Sequence, residues 1–222
     1  MRRALLLLGS PKAGASTSGS LGTYLLLRLG EHGLEGGQRR VGEVLRAPGG
    51  LDELAEAVER ADLLVLSFPL YVDSLPAPMI RCLEALAARR PGSSSEGAPR
   101  FVAIVNSGFP EASQCDTALE ICRRFAFEAG FPWAGGLALG GGAAVDGRPL
   151  ERAGGMVRNV RAALDLAAEA LARGEPVPEE AVRLMARPLA PRWFYLFMGN
   201  LRWKRAARKH GTLRRLHDRP YL

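Results

Sequence analysis

Short continuous apolar runs alternate along the chain with stretches whose apolar residues recur at helical spacing. Residues 4–9 form such a run, ending in glycine, as expected of a strand buried on both faces. Leu21, Tyr24, Leu25 and Leu29 then mark one face of a helix over about residues 18–35. Residues 41–47 are expected to form a weak second strand, followed by a helix from Asp52 with Leu54, Val58 and Ala61 on one face. Residues 62–67 (DLLVLS) read as another buried strand. Pro76 and Pro78 open a helix through Ile80, Leu83 and Leu86, because proline suits a first turn. The small, polar stretch 91–99 (PGSSSEGAP) reads as a surface connection. A fourth strand is expected at 101–106, a helix at about 113–129 and a glycine-weakened fifth strand at 133–139. A long helix at 150–172 carries Met156, Val160, Ala163, Leu164, Ala167 and Leu171 as its buried stripe.

Five strand–helix alternations imply a parallel sheet covered on both faces, with right-handed crossovers. Five strands suit the doubly wound order 2-1-3-4-5, in which ligands sit beyond the carboxyl ends of the strands where the order reverses. The loops after Leu8, Ser67 and Val105 are therefore where chemistry is expected.

A chain of 222 residues supports one well-buried core with an appendage. The net charge of +7 is unevenly placed. Residues 1–178 hold 19 Lys and Arg against 20 Asp and Glu, whereas residues 179–222 hold 11 against 3. The chain thus divides into a near-neutral domain, 1–178, and a basic, aromatic C-terminal helical extension, 179–222. Cys82, Cys115 and Cys122 have no C-x-x-C spacing, so neither a disulfide framework nor a metal site is expected. A reducing cytoplasm fits. The apolar run after Arg2 and Arg3 is too short for a signal peptide, and no stretch approaches the ~20 apolar residues of a membrane span.

The first of the three loops reads Gly9-Ser10-Pro11-Lys12-Ala13-Gly14-Ala15-Ser16-Thr17-Ser18. Unpaired N–H groups at a helix N-terminus bind phosphate when small residues let it approach. Ser10, Ser16, Thr17 and Ser18 add hydroxyls and Lys12 a charge. The plain alternative is a serine-rich turn with Ser18 capping the helix. The loop is neither a Walker A sequence nor G-x-G-x-x-G, which favours a phosphomonoester over a triphosphate or a dinucleotide. The second loop, Phe68-Pro69-Leu70-Tyr71-Val72-Asp73-Ser74-Leu75-Pro76, offers apolar side chains and amides to a planar ring. Alternatively, Tyr71 and Leu75 only pack on the neighbouring helix. The third, Asn106-Ser107-Gly108-Phe109-Pro110-Glu111, places Gly108 for close approach and Phe109 either at the ring or over the domain edge. Gly140-Gly141-Gly142 follows the fifth strand and borders the same crevice.

Together these segments resemble the NAD(P)H-dependent FMN reductase branch of the flavodoxin-like proteins, in register over about residues 4–172, with Pro69-Leu70-Tyr71 the most specific part. The resemblance implies a flavodoxin-like domain with a C-terminal helical arm and non-covalent FMN. It places the phosphate at Ser10, Lys12, Ser16, Thr17 and Ser18. The ring edge would lie along Pro69, Leu70, Tyr71, Val72, Asp73 and Ser74, and along Asn106, Ser107, Gly108 and Phe109. It further implies NAD(P)H as donor, a small acceptor such as a quinone or a flavin, and a homodimer. Lys12 stands where many members carry arginine, which keeps the charge and loses bidentate geometry. No compact cysteine cluster is present, which argues against an iron–sulfur partner. No catalytic side chain is required, because the flavin carries the chemistry. His32, His210 and His217 lie away from the three loops, and Asp73 and Glu111 suit capping or solvent as well as chemistry.

The extension mixes Trp193, Phe194, Tyr195, Phe197 and Trp203 with Arg192, Arg202, Lys204, Arg205, Arg208 and Lys209. Trp193, Phe197 and Leu201 fall at helical spacing, which favours an arm packed on its own domain or on a partner subunit over nucleic acid. An anionic surface and a share in the acceptor pocket remain open. Two other functions stand beside the reductase: a flavodoxin-type electron carrier, which needs a strongly acidic face this body lacks, and a non-catalytic module on the same fold.

Overall fold

The computed structural model describes residues 2–12, 14–90 and 97–218; the connection read at 91–99 lies outside them for its first six positions. The described chain divides into two units, Met1–Leu189 and Ala190–Leu222. In the first, β1 (Arg2–Leu8), β2 (Leu34–Arg40), β3 (Leu63–Pro69), β4 (Arg100–Asn106) and β5 (Trp133–Leu139) form one parallel sheet in the order 2-1-3-4-5.

Alternate side chains of β1 feed two cores, one on each face. Leu6 and Leu8 pack with Leu21, Leu25 and Leu29 of α1 (Thr17–Glu31) and with Val160 and Leu164 of α6 (Arg158–Ala172). Leu5 and Leu7 face the other way, toward α3 (Gly50–Glu59), α4 (Ala77–Ala88) and α5 (Asp116–Glu128) through Leu54, Met79 and Cys122. Each such buried aliphatic side chain contributes about 1.5–3 kcal/mol. The central strands are continuous apolar runs because both of their faces are covered.

Three expectations are corrected. The second strand is Leu34–Arg40, and Val41–Val44 forms the short helix α2. Only Leu34 of β2 is buried, so this edge strand (LEGGQRR) lacks the apolar signature and draws its stability from pairing with β1. Val41 and Val44, three residues apart, turn one helical face to the core. The helix expected at 150–172 begins only at Arg158; 3₁₀ turns at Leu150–Arg152 and Gly154–Val157 precede it, and Met156 is partly exposed. Finally, the extension does not act as one piece. Its first helix, α7 (Glu179–Met185), belongs to the body, with Ala181 and Met185 fully buried against the α6 face.

At the β5 edge the chain closes on itself. Phe101 pairs with Trp133 and Val102 with Gly135, so Ala134 is an extra, bulged residue. Its freed carbonyl accepts the Val177 N–H at 2.7 Å. The Val177 side chain occupies the space a Cβ on Gly135 would need.

The second unit holds α8 (Arg192–Lys209) and a 3₁₀ turn, Leu213–Arg215. The Trp193 and Phe194 rings meet edge to face at 5.7 Å, and Thr212 closes the helix end by bonding to the Ala207 carbonyl. Trp193 is 71% and Phe197 59% exposed. No helix among the described residues is long and apolar enough to cross a membrane.

Candidate functional site

The loops after β1, β3 and β4 leave adjacent strands at the carboxyl edge of the sheet. The first turns into α1 at Ser16, whose side chain accepts from the Gly19 N–H at 3.1 Å; Ser16, not Ser18, is the cap. No acidic residue sits in the first turn of α1. Thr17 and Ser18 stand in the first turn of α1, whose N–H groups have no partner within the helix, so a positive helix end faces the loop. Lys12 is exposed beside it, and its N–H bonds weakly to Ser10 Oγ at 3.4 Å.

Three of the expected hydroxyl positions are committed within the protein. Ser18 is buried, and its Oγ donates to Asn106 Oδ1 at 2.7 Å. Thr17 Oγ1 donates to the Gly142 carbonyl at 2.8 Å, and Ser16 Oγ is held by its cap. The Ser18 hydroxyl is therefore spent on fixing the loop, while half-buried Ser10 remains at the loop surface. Ser67 joins the same network, donating through Oγ to the Ser18 carbonyl at 2.8 Å and accepting the Gly9 N–H at its own carbonyl. Asn106 is the hub. Its amide oxygen takes the Ser18 hydroxyl and its backbone carbonyl takes the Leu70 N–H at 2.8 Å, so one residue ties all three loops.

The second loop makes a two-residue reversal. Tyr71 and Ser74 exchange backbone bonds at 2.9 and 3.1 Å, and both central residues adopt positive φ, Val72 at 49° and Asp73 at 58°. Such a turn is normally Asn-Gly; a β-branched residue there is strained by the order of 1–3 kcal/mol. Val72 is also 97% exposed, and Tyr71 is exposed beside it. Leu75 behaves differently: it is buried with Met79 in the core, so the packing alternative holds for Leu75 and not for Tyr71. Pro69 and Leu70 are half-buried at the strand end.

In the third loop Ser107 is buried, its N–H bonded to the Leu139 carbonyl, while Gly108 and Phe109 are exposed. The glycine run after β5 does border this crevice: Gly141 N–H donates to the Phe109 carbonyl and Gly142 N–H to that of Ser107. Tyr71, Val72 and Phe109 thus stand exposed on the loops that neighbour the first turn of α1.

Two contributors are absent from the sequence reading. Gly147, at φ 74°, lies so close to the first loop that a Cβ would come within 2.7 Å of the Ala15 and Ser16 backbone. Arg40, paired in register with Leu8, reaches the Lys12 carbonyl at 3.5 Å and adds a second cation. A hollow of about 350 Å³ has both residues in its lining, with Ala15, Ser16, Ser20 and Glu151. Correct placement of β2 would have revealed Arg40, since it ends the strand beside the loop. None of the thiols is poised for chemistry. Burial pushes Cys82 and Cys115 up to about 11 and Cys122 to about 12.

No family model and no curated protein sequence matches the chain. Solved structures do. An FMN-dependent NADH-azoreductase from Bacillus anthracis, in complex with FMN, superposes with a TM-score of 0.58 at 15% identity, covering 78% of this chain and 100% of that one. The fold is flavodoxin-like. A Klebsiella pneumoniae protein described as a "putative quinone reductase" gives 0.59 at 16% identity, over 80% and 88% of the two chains. An NAD(P)H:quinone oxidoreductase from Methanothermobacter marburgensis gives 0.55 at 16% identity, over 78% and 96%.

Proposed function

We propose that the chain is an FMN-dependent oxidoreductase that uses NAD(P)H to reduce a small acceptor such as a quinone or a flavin. The carrying observation is the Asn106 hub, which holds a positive helix end and an exposed apolar turn on neighbouring loops. Strands β1 and β4 are two inter-strand spacings apart, about 10 Å. A phosphate and a planar ring joined by a short polyol chain suit that arrangement.

The residues fit the group at both ends. The Thr17 and Ser18 N–H groups, Ser10, Lys12 and Arg40 would hold the phosphate, with no carboxylate in the first turn of α1 to oppose it. Tyr71, Val72 and Phe109, with the backbone of Pro69, Leu70, Asp73, Ser74, Asn106, Ser107 and Gly108, would border the ring. Bound there, FMN supplies the hydride-accepting and hydride-donating chemistry. The protein's part is to bind, to orient and to keep the ring edge between apolar side chains. The three thiols are held protonated by burial, and no histidine occurs in the three loops. The proposal includes a homodimer in a reducing cytoplasm. A net charge near zero over residues 1–178 favours the enzyme over a flavodoxin-type carrier, which docks through a strongly acidic face.

Titration of the purified protein with FMN, read by quenching of flavin fluorescence, tests this. One FMN per chain with low-micromolar or tighter affinity, and bleaching of the bound flavin by NAD(P)H without air, are expected. Absence of FMN binding at micromolar concentration overturns the cofactor and the enzyme class together.

A further inference from the structure

The C-terminal helix is divided end to end. Residues 193–201 carry no charged side chain, and Trp193, Phe194, Leu196, Phe197 and Met198 are all exposed. Residues 202–209 carry Arg202, Lys204, Arg205, Arg208 and Lys209, with Trp203 75% exposed among them. No Asp or Glu occurs from residue 181 to 217. The separation runs along the axis rather than around it: at about 100° per residue, Lys204 and Arg208 share the side of Trp193 and Phe197. A contiguous apolar patch of this kind marks an interaction site.

We propose that α8 docks the protein on an anionic lipid surface. The apolar half enters the boundary between headgroups and acyl chains, and the basic half lies among the lipid phosphates. Charge complementarity selects this occupant. A second copy meeting helix to helix in register would set two acid-free basic segments against each other. Nucleic acid would satisfy the cations and leave Leu196, Phe197 and Met198 in water. A lipid interface takes both halves, with tryptophans at the headgroup level where their amphipathic rings partition. The dimensions agree. Nine residues at ~1.5 Å rise span about 13 Å, far short of the ~30 Å hydrocarbon core, so the helix would sit at the interface and not cross it.

The test is co-sedimentation of the full-length protein with phosphatidylcholine vesicles, with and without phosphatidylglycerol, followed also by tryptophan emission. The expected result is binding to the anionic vesicles that weakens with salt, a blue shift on binding, and little binding to the neutral ones. Trp193→Ser with Phe197→Ser should weaken it about tenfold or more while leaving the melting curve unchanged. Arg205→Glu with Arg208→Glu should abolish the preference for the anionic lipid. No vesicle binding, equal binding by the Trp193→Ser/Phe197→Ser protein, or a lipid-free blue shift that grows with protein concentration would overturn the proposal. Tighter binding to duplex RNA than to vesicles would overturn it as well. Because FMN content is read independently, none of these outcomes depends on the reductase reading.

Discussion

The loops that follow β1 and β3 leave neighbouring strands, yet they keep their shapes by opposite means. The first is locked from outside: Ser18 to Asn106, Ser67 to the Ser18 carbonyl, Thr17 to Gly142, and Gly147 against its backbone. Every side chain spent on locking leaves backbone N–H groups as the donors. The second is held by one pair of backbone bonds across Tyr71 and Ser74, keeps Val72 and Asp73 in an unfavourable conformation, and turns apolar surface to water. A site for an anion gains from donors that are fixed before the ligand arrives, because little is then spent on reorganisation. A surface for an apolar ring stays uncovered, and the strain there is of the kind that functional sites retain.

The largest expected effect comes from pressing on the locked loop. Gly147→Ala adds a Cβ at positive φ against the Ala15 and Ser16 backbone, and should destabilise the protein by roughly 2–4 kcal/mol in urea unfolding. FMN affinity should fall with it, and an unchanged unfolding midpoint would show that the 147 turn is not pressed on the loop. Next is Ser18→Ala, which strips a buried donor from Asn106 Oδ1 and should cost about 1–3 kcal/mol. Because that hydroxyl serves the scaffold, FMN and riboflavin should weaken together, whereas Ser10→Ala should weaken FMN alone. A Ser18→Ala loss confined to FMN would place Ser18 at the phosphate after all. The smallest effect has the opposite sign. Val72→Asn with Asp73→Gly supplies the residues this turn prefers and should stabilise the protein by about 1–2 kcal/mol in thermal melting. Weaker FMN binding by that more stable variant would sharpen the contrast; no stabilisation would erase it.

The sequence conveyed the fold where both faces of a strand are buried and lost it where only one edge is paired. Runs such as Ala4 to Leu8 need apolar residues at every position, so they are visible without any partner. β2 needs only backbone pairing with β1, and its glycines and arginines hid it one element early. That one displacement also hid Arg40, whose relevance comes from standing in register with Leu8. The three loops were legible from their small residues and their position after buried strands. Which hydroxyl faces a ligand and which braces the loop was not, because Ser18 and Asn106 are 88 residues apart and meet only once β1, β3 and β4 are in register. The start of α6 was obscured because the apolar spacing runs on through Gly154 and Gly155, where the backbone forms 3₁₀ turns instead.

The Val177 strap has a consequence for self-association. A parallel sheet with two bare edges invites other strands, and aggregation begins there. Here the Val177 N–H occupies the Ala134 carbonyl, so a foreign strand finds the start of the β5 flank already taken by the protein's own chain. The opposite flank, β2, is guarded by charge instead: Arg39 and Glu35 are exposed along it, beside Arg3 on β1. One border is blunted by geometry and the other by electrostatics, so added salt should loosen chiefly the β2 side, and edge-to-edge pairing in a concentrated sample should start there.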